Sequence, residues 1–165
     1  MDLTAPVRKV FPELPVPVRR LAYRGAYTGL RVYWLLRHPD TSGVKCVLTD
    51  GDRILLVRHS YGPRGWDLPG GSRRQGEAPV AAARREMNEE LGVAIHDLTS
   101  LGELTVDADH RVDHVHYFQA ELRAPRITLD EGELVTAEWF PRHELPPELG
   151  RYAQAIIATL PPVEE

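Results

Sequence analysis

Three glutamates, Glu86, Glu89 and Glu90, stand at positions i, i+3 and i+4 of a stretch whose other residues read as one helix. At about 3.6 residues per turn they fall on neighbouring sectors of a single face. Like charges at this spacing repel and weaken a helix, so a chain that keeps them needs something positive nearby. Arg85 lies four residues before Glu89 and is placed to pair with it. Three close carboxylates are also a ready site for a hard divalent cation such as Mg²⁺. The segment around them favours a helix that holds the cluster still. Pro79 suits a first turn, Val80, Ala83, Met87 and Leu91 form a narrow apolar stripe, and Gly92 suits the left-handed residue that ends a helix. Ala82 is expected on the carboxylate side, leaving room for metal and substrate. A solvated helix face would carry the same three charges, and the residues in front are what weigh against it.

Trp66-Asp67-Leu68-Pro69-Gly70-Gly71 runs directly into this helix. Gly71, Glu77, Arg85, Glu86, Glu89, Glu90, Gly92 and Val93 then follow the spacing G-x5-E-x7-R-E-U-x-E-E-x-G-U, where U is a bulky aliphatic. On these residues the chain resembles the Nudix hydrolase family. Met87 fills a U position where Leu or Ile is commoner, and its adaptable side chain should preserve packing. A pattern fixed at this many positions is far more specific than a lone glycine motif.

Length and charge bound the reading. A chain of 165 residues holds one sizeable core and is short for two ordinary domains. The net charge of −4 gives no global basic field, so no specific nucleic-acid partner is expected. An acidic protein that acts on phosphates needs a cation bridge. Cys46 is the only cysteine, which excludes an intrachain disulfide and fits a reducing cytoplasm. No signal peptide is evident. The apolar stretch from Leu21 to Leu36 is too short and too charged, with Arg24 and Arg31 inside it, to span a bilayer.

Residues 1–17 hold four prolines and read as an irregular arm. Residues 18–36 read as a short amphipathic helix weakened at Gly25 and Gly29. A lone helix of this length is marginal in water, so it must dock on its own domain or on a second subunit, and a homodimer is the expectation favoured here. Val44–Leu48 and Ile54–His59 read as strands joined at Asp50-Gly51. Further strands are expected at 102–107, 112–122 and 135–140. Leu149, Tyr152, Ile156 and Leu160 mark a closing helix. The alternation argues an α/β domain. The resemblance refines this to an α/β/α sandwich with a mixed sheet, the Nudix unit taking residues 42–165 and the leading arm and helix residues 1–41.

The resemblance also implies chemistry. Nudix proteins mostly hydrolyse a nucleoside diphosphate linked to another group, and divalent ions withdraw charge from the pyrophosphate. By position, Glu86, Glu89, Glu90 and the Gly70 carbonyl are the implied ligands for Mg²⁺ or Mn²⁺. Arg85 is implied to orient a carboxylate, and Glu77 to be structural. The general base is either a glutamate of the motif, such as Glu86, or a later loop acid among Asp130, Glu131 and Glu133. Glu133, six residues before Trp139, has the best spacing. Arg58 and Tyr61, in the segment before the motif, are candidate substrate contacts, with Trp66 expected to pack the loop. Arg73 and Arg74 are expected to face solvent. His114 and His116 share one strand face, but no third ligand is evident.

The substrate is less determined. The window from Asp107 to Arg111 contains neither the proline of the ADP-ribose class nor the tyrosine of the dinucleoside polyphosphate class. The further motifs of the coenzyme A and NADH groups are also missing. Two other functions stay in view. A non-catalytic nucleotide sensor has no need of Glu86, and an isopentenyl-type isomerase would want a cysteine in its site, whereas Cys46 sits on an expected core strand.

Overall fold

The computed structural model describes residues 14–123 and 125–161. Helix α1 (Val16–Arg37) leads into strands β1 (Asp40–Asp50) and β2 (Arg53–His59), followed by α2 (Pro79–Leu91). Strands β3 (Thr99–Ala108), β4 (Arg111–Glu121) and β5 (Leu134–Pro141) and helix α3 (Arg151–Ile157) complete the chain. The strands form one sheet in the order β3-β4-β1-β2-β5. β1 runs parallel to β4, while the β1–β2, β2–β5 and β3–β4 pairs are antiparallel, so the sheet is mixed.

Alternation along the strands sends side chains to two cores. Val44, Cys46 and Leu48 of β1 face one layer with Leu55, Val57, Phe118 and Ala120, and α2 covers it through Ala83, Met87 and Leu91. Val47, Ile54, Leu56 and Tyr117 face the other layer, covered by Ala153 and Ile156 of α3. Ala82 is fully buried in the α2 core, so its small side chain serves close packing on the sheet and does not line the carboxylate face. The closing helix is shorter than its apolar stripe. Leu149 and Leu160 lie outside it but pack on the same cluster as Tyr152 and Ile156.

The first thirteen positions of the expected arm lie outside the described residues. Helix α1 starts at Val16 and runs 22 residues without a break through Gly25 and Gly29. Its stability comes from tertiary contact rather than propensity. Tyr23, Leu30 and Trp34 are buried against the domain. Arg19 pairs with Asp130 at 2.8 Å, and the guanidinium of Arg20 donates to the Glu131 carbonyl. Of the two docking modes open to this segment, the structure displays contact with its own domain. The outer face still exposes Leu21 and Leu36, at 70% and 72%.

Candidate active site

The carboxylates of α2 are far from being a solvated face. Glu90 is fully buried, Glu86 is 4% exposed, and Glu89 lies at the rim. One guanidinium organises them. Arg85 donates through Nε and Nη2 to the two oxygens of Glu77, at 2.8 and 2.9 Å. Its Nη1 reaches Glu86 Oε1 at 2.6 Å and Glu89 Oε2 at 3.1 Å, and Nη2 also meets the Ser72 carbonyl at 2.9 Å. A planar fork with five donors can do this, and an ammonium cannot. The Arg85 hydrogen bonds hold the Glu77 carboxyl down to about 2, against a smaller opposing effect of burial. Glu77 also accepts from the Arg74 N–H, so it ties the loop to the helix start.

The two glycines before α2 are there for close approach. A Cβ on Gly70, which has φ +144°, would lie 2.1 Å from the Val44 carbonyl oxygen of β1. The need for glycine there is therefore set by the sheet at least as much as by any ion. A Cβ on Gly71 would lie 2.6 Å from the Glu86 carboxyl carbon. Glu90 Oε2 accepts the Gly70 N–H at 2.9 Å, which fixes its rotamer. Its other oxygen, Oε1, is buried and accepts no hydrogen bond; His59 Nε2 stands 3.6 Å away. A buried carboxylate oxygen without a donor is costly, and a cation at that point would satisfy it.

Among the described residues, no group of three His, Cys, Asp or Glu side chains is arranged to hold a metal by itself. Mg²⁺ commonly keeps several waters and takes only one or two carboxylates. The donor set of Glu86, Glu90 and the neighbouring backbone fits that habit. His114 and His116 both lie near Glu103, at 3.8 Å, and gather no further ligand.

Of the later acids, Glu133 is buried and accepts from the Tyr61 hydroxyl at 2.8 Å. Asp130 is held by Arg19, Tyr23 and the Gly132 N–H, and Glu131 is exposed. Tyr61 does not stand free to stack on a base. It is half-buried, stacked on Tyr23 with ring centroids 5.6 Å apart and packed beside Tyr27 and His59. Burial, reinforced by the Glu133 carboxylate, pushes its hydroxyl well up, so it stays a neutral donor. Glu133, Tyr61, His59 and Glu90 thus form a chain of neighbours linking the β5 loop to α2. Arg58 lies over the Trp66 ring at 5.0 Å and reaches Glu148 at 3.3 Å, at the edge of the cleft described below. Trp66 packs against Phe140. Arg74 is only partly solvent-facing, because it pairs with Glu89 at 3.4 Å.

Sequence reasoning missed the wall opposite the motif. A cavity of about 440 Å³ reaches from Gly70–Ser72 across β1 and β4 to α3, and Tyr27, Leu30 and Trp34 of α1 close it. Arg111 lies over the Trp34 ring, 3.7 Å from its centroid, and bonds Asp113 and Tyr152. Lys45 pairs with Asp67 at 2.7 Å on the same floor. Two buried atoms of this lining, Ser42 Oγ and Arg111 Nε, lack hydrogen-bond partners. Alternation would have put Thr41, Gly43 and Lys45 on one face of β1, but no local pattern brings α1 over them.

The comparisons with known proteins agree with this geometry. The family model described as the NUDIX domain matches residues 39–160. The chain belongs to the Nudix hydrolase family. This Nudix chain is 34% identical over 119 residues to the NAD-capped RNA hydrolase NudC of Haemophilus influenzae, covering 67% of this chain and 44% of that protein. It is 32% identical over 123 residues to the NAD-capped RNA hydrolase ndx-9 of Caenorhabditis elegans, covering 70% and 31% respectively. The chain thus spans less than half the length of these curated relatives. Among solved structures it resembles a MutT NUDIX hydrolase from Burkholderia pseudomallei, with a TM-score of 0.69 at 24% identity over 74% of this chain and 98% of that one, which speaks for the fold. Among the described residues no helix is long and apolar enough to cross a membrane. Helix α1 precedes the matched stretch.

Proposed function

We propose that this chain is a Mg²⁺- or Mn²⁺-dependent pyrophosphohydrolase that cleaves a phosphoanhydride bond of a nucleoside diphosphate or triphosphate derivative. The observation that carries the reading is Glu90, a buried carboxylate with one oxygen fixed by the Gly70 N–H and the other without a donor, next to Glu86. Glu86 and Glu90, with Glu89 at the rim and the Gly70 carbonyl, would hold the ion, which supplies charge neutralisation at the pyrophosphate. The chain's own groups do the rest. Arg85 fixes the carboxylates, so little reorganisation is needed when substrate arrives. Glu133, oriented by the Tyr61 hydroxyl, takes the proton of the attacking water. The water oxygen bonds to one phosphorus, the bridging P–O bond breaks, and two phosphate-bearing products leave.

A nicotinamide dinucleotide, free or at the 5′ end of an RNA, heads the substrates to be tested, because the relatives named above are NAD-capped RNA hydrolases. The missing NADH-group motif argues the other way. Proton-transfer chemistry through Cys46 has little support, since burial first and Glu90 second push its thiol up to about 12. The sensor reading predicts binding without turnover. Chromatographic separation of the nucleotide products from a panel of nucleotide derivatives, with and without Mg²⁺, separates the two, and tight binding without hydrolysis of any of them would overturn the enzyme reading. We also retain a homodimer, the outer face of α1 with Leu21 and Leu36 being the surface a second copy would cover, and residence in the cytoplasm.

A further inference from the structure

Helix α1 does more than cover the core. Beside the cavity at the motif lies a wider cleft of about 1390 Å³ between α1, the segment 58–64 and the β3–β4 turn. The two spaces share Tyr27, His59, Tyr61, Gly62, Pro63 and Asp109, so they adjoin along the line where Tyr27 packs beside Tyr61 and Gly62. Four arginines line the wider cleft, Arg24 and Arg31 from α1 and Arg58 and Arg64 from the segment opposite. Arg24 and Arg31 are seven residues apart, two helical turns, so they share a face. The two acids there, Glu148 and Asp109, already have Arg58 at 3.3 Å and Arg151 at 3.6 Å. Arg24 donates its Nε to the Ser60 carbonyl. Arg31 and Arg64 have no carboxylate partner among the described residues. This positive excess sits in a chain of net charge −4, so it runs against the general balance of the surface.

We propose that this cleft is an anion subsite for a phosphate group one ribose beyond the scissile pyrophosphate, with Arg31 and Arg64 its principal contacts. The inference rests on the pyrophosphohydrolase reading only for which bond is cut. Guanidinium groups match phosphate oxygens through paired N–H donors. A substrate whose pyrophosphate lies at Glu86 and Glu90 must send its other half somewhere, and the adjoining cleft lies along α1. Two sources carry this chemistry: a dinucleotide with a 2′-phosphate, and the 5′ end of an oligonucleotide.

The test measures binding by calorimetry in chelator at low salt, so that turnover plays no part. The probes are NAD⁺, NADP⁺ and a pentaribonucleotide capped with NAD⁺, each against wild type and R31E/R64E. Both positions are solvent-exposed, and a melting curve checks that the variant folds. Wild type is expected to bind at least one of the two probes with a phosphate beyond the pyrophosphate ~5-fold or more tighter than NAD⁺, with the preference weakening as salt rises. In R31E/R64E that ratio should fall to about one. Preference for NADP⁺ alone assigns the subsite to a phosphorylated dinucleotide, and preference for the capped oligonucleotide alone to a nucleic-acid end. Ratios near one in wild type for both probes, or a ratio unchanged in the folded variant, overturn the inference. Absence of hydrolysis in the panel would defeat the enzyme reading and leave this ratio standing.

Discussion

Replacing Arg85 by alanine should be the most disruptive single change to the α2 face. The side chain is 13% exposed and makes five hydrogen bonds, four of them to Glu77, Glu86 and Glu89. Its removal leaves three carboxylates of one sign, with the side chains of Glu86 and Glu77 6% and 16% exposed, without their shared cation. Breaking a largely buried ion pair by deleting one partner costs about 3–5 kcal/mol. For a chain of this size each kcal/mol moves the melting temperature by about 2–4 °C. The expected loss is therefore about 6–20 °C, read by thermal denaturation in chelator. R85K keeps the charge but lacks the fork, and should recover less than half of the loss. Added Mg²⁺ should raise the melting temperature of both variants, because a second cation then screens the cluster. A loss under about 2 °C for R85A would refute the reasoning, since it would mean the carboxylates tolerate each other or find other partners.

Four further outcomes follow from the same site. Glu86→Gln and Glu90→Gln should each lower hydrolysis at saturating Mg²⁺ by ~10²-fold or more while melting near wild type, and near-wild-type rates in both would remove these residues from the metal site. Gly71→Ala places a methyl 2.6–2.8 Å from the Glu86 carboxyl atoms, so turnover should fall ~10-fold or more with little change in melting, a misplacement effect that steady-state rates beside a melting curve would expose. Glu77, held down to about 2 against an ordinary 4.5, adds stability that is complete above about pH 4.5 and is lost as pH falls toward 2; Glu77→Gln should flatten acid unfolding in that window, and an unchanged acid midpoint would contradict the assignment. Light scattering at micromolar concentration should find a dimer, whereas a single monomeric species would end the dimer proposal and leave α1 as a cover for its own domain.

Much of the local structure was legible in the sequence because short-range rules govern it. The i, i+3, i+4 spacing of Glu86, Glu89 and Glu90 placed them together on one helix, and Pro79 and Gly92 bounded it. Asp50-Gly51 gave the β1–β2 turn, with Gly51 at φ +62°. The pairing of Arg85 with Glu89 needed only the pitch of a helix. Burial was different. Whether the carboxylates face water or the interior depends on loop 60–72 folding over α2, and that contact was visible only through a family resemblance. Ala82 went to the core instead of the site because α2 turns a broader face to the sheet than its stripe implied. Gly70 looked like a ligand position, yet its lack of a side chain is demanded by β1, a strand more than twenty residues earlier. Tyr61 read as a candidate substrate contact, and its ties to Glu133 and Tyr23 come from segments that no local pattern connects to it. The reach of α1 over the cleft was beyond any local signal, since Trp34 meets Arg111, 77 positions later in the chain. Helical pitch, turn chemistry and charge spacing are set by neighbours in the chain, so the sequence alone determines them. Which polar groups lose their water, and which arginines line a common cleft, is decided by contacts between distant segments, and only the tertiary structure assembles those.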